Sequence, residues 1–275
     1  MTVFLPDPAT DSESQLWQWY LSTVEASECA SLSDEQLNTL RSYYREAGLE
    51  TAWRRPYFRR HFSANFAEIA SFVLQNRSTP RILDLGCGTG TQALYLALMG
   101  ASVVGLDVDA CSLDVMAKRK QFYERLLGKP LDLQGVQGNA VTVDLSQFGS
   151  FDAVYSLFAF NMMQPSAAVL PRITSWLKPA GRVAILDGNS GSWLSRLWPG
   201  RRRAAWSAPE AARELQDAGF RIHRHRGGVA IPPIAWALSA KASGAADAWL
   251  AEYLPLSISH LLLASSCAEG DRRTA

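Results

Sequence analysis

RILDLGCGTG, residues 81–90, is the stretch on which the reading of the whole chain turns. A β-type run, Arg81–Leu85, carries Asp84 and then meets three glycines, Gly86, Gly88 and Gly90, at every second position. Glycine lacks a Cβ and takes positive φ cheaply. The alternation therefore predicts a sharp turn from a strand into a helix near Thr91, with bare backbone open to a ligand. Helix N-termini commonly hold phosphate, but two features argue against it here. No Lys-Ser/Thr pair follows in the manner of a triphosphate cradle, and the spacing is not the dinucleotide GxGxxG. Asp84 at the loop mouth would repel a pyrophosphate and welcome a cation.

The next strand ends in VVGLDVDA, which places Asp107 at its carboxyl end. An acid there accepts bonds from ribose hydroxyls. The expected ligand thus carries a ribose and a positive charge. Further strands are expected at 102–106, 131–137, 151–156, 182–186, 220–225 and 257–264. Helices are expected at 91–99, 110–127, 166–177 and 208–218, the last opened by a Ser207–Glu210 capping box. Such alternation predicts an α/β fold, an open and mostly parallel sheet covered on both faces. Upstream, residues 12–76 read as helical. Ser33 and Gln36 form a capping box, Leu37, Leu40 and Tyr44 continue at helical spacing, and Gly48 closes the helix. Phe62, Phe66, Ile69 and Val73 make a second apolar stripe. A helix around 235–252 fills the gap before the last strand.

Bulk composition sets outer limits. The 275 residues suit one large domain or one domain with a cap, and the net charge of +1 provides no general field for nucleic acid. Cys29, Cys87, Cys111 and Cys267 form no CxxC pair, and a secreted disulfide framework would be denser in so long a chain. The first residues lack the basic and apolar regions of a targeting signal. No run reaches the roughly 20 apolar residues of a bilayer span. A cytoplasmic protein without stable membrane insertion is expected, its oligomeric state open.

DLGCGTG, the LDVD strand end, VQGNA at 136–140, FDAVYSLFAF at 151–160 and LKPAGRVAI at 177–185 occur in this order. The set resembles the successive motifs of class I S-adenosylmethionine-dependent methyltransferases, over about residues 55–265. The resemblance implies a Rossmann-like seven-stranded sheet with its last strand antiparallel, and S-adenosyl-L-methionine as cofactor. It implies that Gly86, Gly88 and Gly90, with Cys87 between them, lie under the methionine and ribose parts. Asp84 would face the amino group, Asp107 the ribose hydroxyls and Val108 the adenine. Asn139, where the family often has aspartate, and Ala140 would meet the adenine edge, and Leu157 would approach the cofactor from the fourth strand. The expected organisation is a helical cap at 1–78, a cofactor-binding domain at 79–267 with a helical insertion near 232–254, and a disordered tail at 268–275.

The acceptor side is expected from the ends of strands four and five and from the cap. Strand four ends in the apolar run from Leu157 to Met163, and strand five in Asp187-Gly188-Asn189. The cap offers Tyr43, Tyr44, Tyr57, Phe58 and His61. Candidate catalytic residues are His61, Tyr57 and Asn161; cap packing competes as the reading of His61. His223 and His225 alternate with arginines, read as a wet sheet edge, and no metal is expected. Arg201–Arg203 read as solvated surface, and residues 192–206 as either a lid or a plain connection. Methyl transfer to a small molecule or natural product, not to nucleic acid, is the leading reading. The alternative is intramolecular cyclisation of the cofactor, of the azetidine-2-carboxylate synthase type, releasing methylthioadenosine. A non-catalytic cofactor-binding subunit is the third.

Overall fold

In the computed structural model, which describes residues 3–7, 12–25, 32–75, 78–193, 195 and 206–267, the strands follow the apolar runs of the sequence. They are β1 (Arg81–Leu85), β2 (Ser102–Asp107), β3 (Leu133–Gln137), β4 (Phe151–Leu157), β5 (Leu177–Gly188), β6 (Phe220–Val229) and β7 (Ser259–Ser266). They form one sheet in the order β3-β2-β1-β4-β5-β7-β6. The pairs β1–β2, β2–β3 and β4–β5 are parallel, while β7 runs antiparallel to both β5 and β6. The mixed sheet with an antiparallel last strand agrees with the expected fold. The chain makes two compact units, residues 1–138 and 139–275.

In the first unit, α1 (Ser12–Glu25), α2 (Asp34–Ala47), α3 (Arg55–Phe58) and α4 (Asn65–Leu74) precede β1, and α5 (Thr91–Leu98) and α6 (Ala110–Leu127) follow β1 and β2. The Ser33–Gln36 capping box starts α2, and Gly48, at φ 85, ends it. The expected stripe of Phe62, Phe66, Ile69 and Val73 is buried. The basic and aromatic stretch 53–62 divides its residues by polarity. Tyr57, Phe58 and Phe62 turn inward, while Arg59 stays exposed and pairs with Glu13 at 3.1 Å. Inside, Tyr20 meets Phe58 edge-on at 5.4 Å, and Trp19 packs on Tyr95 and Tyr123. Each such ring contributes about 1.5–3 kcal/mol by leaving water, and this burial fastens the N-terminal helices to α5 and α6.

In the second unit, α7 (Ser166–Trp176) joins β4 to β5 and α8 (Ala208–Asp217) leads into β6. The capping box from Ser207 to Glu210 is present. β5 is longer than expected because Leu177 already pairs with Phe151; the chain then irregularly steps to the Ala153–Arg182 pair, with Ala180 at φ 57. The single helix expected at 235–252 is two: α9 (Pro233–Leu238) and α10 (Ala240–Leu250). Ser239 causes the break. Its backbone is extended, and its hydroxyl accepts the Ala242 N–H at 3.2 Å, starting a new helix. The Tyr43 side chain, Arg201–Arg203, most of 192–206 and the tail 268–275 lie outside the described residues.

Candidate active site

Within the first unit, the glycine loop is built as a backbone cradle. Gly86, Gly88 and Gly90 have φ 78, 51 and 74. The N–H groups of Gly86 and Cys87 donate to Leu106 O at 2.8 and 3.1 Å, which pins the loop to β2. Asp107, at the end of β2, accepts the Gly88 N–H through Oδ2 at 2.7 Å and the Asp109 N–H through Oδ1 at 2.9 Å. Each carboxylate oxygen keeps a lone pair for a ligand.

Glycine serves two different ends here. A Cβ on Gly88 would meet no atom within 4 Å, whereas one on Gly90 would stand 2.2 Å from Met116 Cγ. Gly88 keeps space open; Gly90 lets α6 pack.

Asp84 is 3% exposed, and its charge reaches its neighbours. Burial first, then Asp84 and Asp107, push the Cys87 thiol well above its ordinary range, which removes it as a nucleophile. Its Sγ is turned onto β2, 2.7 Å from where a Cβ on Gly105 would stand. Val108 is 64% exposed at the end of β2, an apolar side chain with its face uncovered.

The candidate bases lie elsewhere in this unit. Tyr57, which is buried, and His61, which is half-buried, stack at 5.3 Å between centroids. Burial lowers His61 to about 3, so its ring is neutral near pH 7. Sequence reasoning missed Arg119. It is fully buried, and its Nη1 donates to Thr89 O and to Thr91 Oγ1, each at 2.8 Å. The available signal was spacing: Val115, Met116, Arg119 and Tyr123 share the buried face of α6.

Within the second unit, Asn139 is exposed and its Oδ1 accepts the Val141 N–H at 2.8 Å; Ala140 beside it is buried. Leu157 ends β4 half-buried. Phe158 follows at φ 55, with its N–H on Leu186 O at 2.7 Å. A left-handed backbone at a bulky residue costs about 1–3 kcal/mol and is a mark of functional sites. Asn161 is engaged at both ends of its amide: Nδ2 donates to Gly188 O at 3.1 Å, and Oδ1 accepts the Trp206 N–H at 3.2 Å. Its own N–H donates to Asp187 Oδ2 at 2.8 Å. Burial raises the Asp187 carboxyl, and bonds from the Asn161 and Gly188 amides oppose the rise. Asn189 ties Leu254 O and Ser257 O to the Gly191 and Ala208 amides.

The wet-edge expectation for the histidines holds for one and fails for the other. His223 is exposed and bonds Ser265 Oγ at 2.8 Å. His225 is half-buried, with its Nε2 3.3 Å from Nδ1 of the fully buried His260. Irregular β6–β7 pairing around Arg224 and Gly227 accompanies this contact. Burial lowers His225 to about 4; burial and then His225 lower His260 to about 3. Among the described residues, no cluster of three or more His, Cys, Asp or Glu is placed to hold a metal. No helix among them is long and apolar enough to cross a membrane. A cavity of about 370 Å³, lined by Asp144, Ser146, Arg172 and Trp176 among others, lies at the start of β4, the end away from Phe158.

Comparison with known proteins joins these features. A family described as a methyltransferase domain matches residues 83–185. An uncharacterized methyltransferase of Synechocystis is 30% identical over 164 residues, covering 54% of this chain and 71% of that protein. A demethylmenaquinone methyltransferase of Beutenbergia cavernae is 32% identical over 121 residues, covering 44% of this chain and 46% of the relative's own length. The solved magnesium protoporphyrin IX methyltransferase of Synechocystis, with bound SAM, superposes with a TM-score of 0.55 at 14% identity, covering 95% of this chain and 100% of that one.

Proposed function

The chain belongs to the class I S-adenosylmethionine-dependent methyltransferases, and from that premise we propose that it transfers the cofactor's methyl group to a small-molecule or natural-product acceptor. The observation that carries this reading is the open space over Gly88, bordered by the Asp107 carboxylate that holds its N–H. When bound, S-adenosylmethionine supplies a methyl carbon on a positively charged sulfur. The chain's own groups then have separate tasks. Backbone at Gly86, Gly88 and Gly90 lies under the methionine and ribose parts. By the family resemblance Asp107 would accept the ribose hydroxyls and Val108 would cover the adenine, and the same resemblance gives Asn139 and Ala140 the adenine edge and Leu157 an approach to the cofactor. The buried charge of Asp84 favours the ligand's ammonium group.

Transfer is an in-line displacement, for which positioning supplies much of the acceleration. Tyr57 and His61 pack on each other in the helical cover, and the His61 ring, lowered by burial to about 3, is neutral near pH 7. Asn161 holds the ends of β4 and β5 in place. A small acceptor fits the near-zero net charge and the exposed Met162 after β4. The helical segment 1–78 is the cover of the site.

Incubating the full chain with methyl-labelled S-adenosylmethionine, alone and with small phenols, amines and quinols, tests this reading. Label in an added small molecule together with S-adenosylhomocysteine is the expected result. Methylthioadenosine formed from the cofactor alone would replace methyl transfer with intramolecular displacement. Labelling of added RNA and of none of the small molecules would overturn the acceptor class.

A further inference from the structure

Arginine is almost never fully buried without a task, and Arg119 is 0% exposed in the middle of α6. Two of its bonds share one nitrogen. Nη1 donates to Thr89 O and to Thr91 Oγ1, both at 2.8 Å. Thr89 sits between Gly88 and Gly90, and Thr91 is the first residue of α5. The guanidinium therefore spans the part of the loop whose glycines stand at φ 51 and 74. Glycine backbone loses the most freedom on ordering, so a loop of this composition needs restraint from outside itself.

Besides the Gly86 and Cys87 bonds to Leu106 O, three side chains restrain it. Asp107 takes the Gly88 N–H at 2.7 Å, Trp19 Nε1 donates to Thr91 O at 2.9 Å, and Arg119 ties the stretch between them. Asp107 belongs to the ligand-facing edge, and Trp19 belongs to the packed helices. Arg119 is the one whose bonds reach the carbonyl at the centre of the turn.

We propose that Arg119 is a positioning residue for S-adenosylmethionine, holding the glycine loop through Thr89 and Thr91 in the conformation that receives the cofactor. The inference rests on reading that loop as the cofactor site. Arg119 acts through the loop: an unclamped loop must be ordered at the moment of binding, and that ordering weakens affinity.

Calorimetry with S-adenosylhomocysteine on the full chain tests it, run well below each variant's melting temperature. Arg119→Met is expected to weaken affinity at least tenfold. Thr91→Val, which removes only the Oγ1 acceptor, is expected to weaken it several-fold. The double variant is expected to bind no worse than Arg119→Met, because both changes cut one clamp. Two unrelated packing defects would instead add, and additive losses of affinity overturn the proposal. So does parental affinity in folded Arg119→Met, or in Thr91→Val should the arginine variant not fold. Failure of the parent protein to bind S-adenosylhomocysteine would be a different result, breaking the cofactor assignment itself.

Discussion

Gly88 and Phe158 each follow a strand of the sheet, β1 and β4, and each adopts a left-handed backbone, at φ 51 and 55. Gly88 takes that conformation without steric cost. Phe158 takes it at a cost of about 1–3 kcal/mol, which its surroundings must offset. Around Gly88, the cradle is made by residue type, with side-chain support from Asp107 and Arg119. After Phe158, the backbone is held by a polar network in which Asn161, Asp187 and Asn189 spend their side chains on backbone groups. A left-handed turn after a strand can thus be specified by what a residue lacks or by what its neighbours bond.

The largest expected effects separate two glycines of one loop. Gly88→Val places a side chain in the open space, so S-adenosylhomocysteine affinity should fall by more than about a hundredfold, near 2.7 kcal/mol. The accompanying loss of stability should stay near the 1–2 kcal/mol of left-handed strain. Gly90→Val meets Met116 as well, and overpacking adds about 1–3 kcal/mol to the same strain. Its urea midpoint should fall well below that of Gly88→Val. Equal midpoints for the two variants would erase the distinction between an open and a packed glycine.

Asp107→Ala comes next. Hydrogen bonds to a charged group are worth about 1.5–3 kcal/mol, so titration calorimetry should show binding weakened by roughly ten- to a hundredfold. Unchanged affinity would remove Asp107 from the ribose.

In the other region the sign of the comparison reverses. Asn161→Ala should cost about 1–3 kcal/mol of stability by leaving the Gly188 carbonyl and Trp206 amide unpaired. Its S-adenosylhomocysteine affinity should remain within about twofold of the parent's. A variant that keeps full stability and loses binding would make Asn161 a ligand contact.

The smallest effect is a pH dependence. Asp187 holds its proton more tightly in the folded chain than its ordinary value of 3.8 implies, through burial. The folded state binds more protons than the unfolded state in that window. Its contribution is therefore most favourable below 3.8 and is lost as pH rises through the raised folded value. Urea melts across this range should show a falling component that Asp187→Asn flattens. An unchanged slope in that variant would assign the titration to another group.

Much of the first region was legible because its chemistry is the chemistry of residue types. Alternating glycines at a strand end, followed by an acid at the end of the next strand, leave few physical explanations. The capping boxes at Ser33 and Ser207 were legible for the same reason, since each is completed within four residues. The partition of α9 from α10 by Ser239 went unread, because a serine inside an apolar run signals a cap only once the backbone there is extended. Arg119 sat on the apolar stripe of α6, yet its partners Thr89 and Thr91 lie about thirty residues upstream. His225 looked like one of two edge histidines, and the strand that buries it supplies His260 from 35 residues away.

By itself the sequence determined the strand–helix alternation, the glycine loop with its two acids, and membership in the methyltransferase family, because period, turn chemistry and motif order are local properties. Tertiary structure decided which glycine is open and which is packed, that Cys87 turns onto Gly105, that Tyr57 and His61 stack on each other, and that Asn161 bonds the end of β5. Each of those depends on what a distant segment brings alongside, and burial and hydrogen-bond partners are set by that approach, not by the residue's own neighbours in the chain.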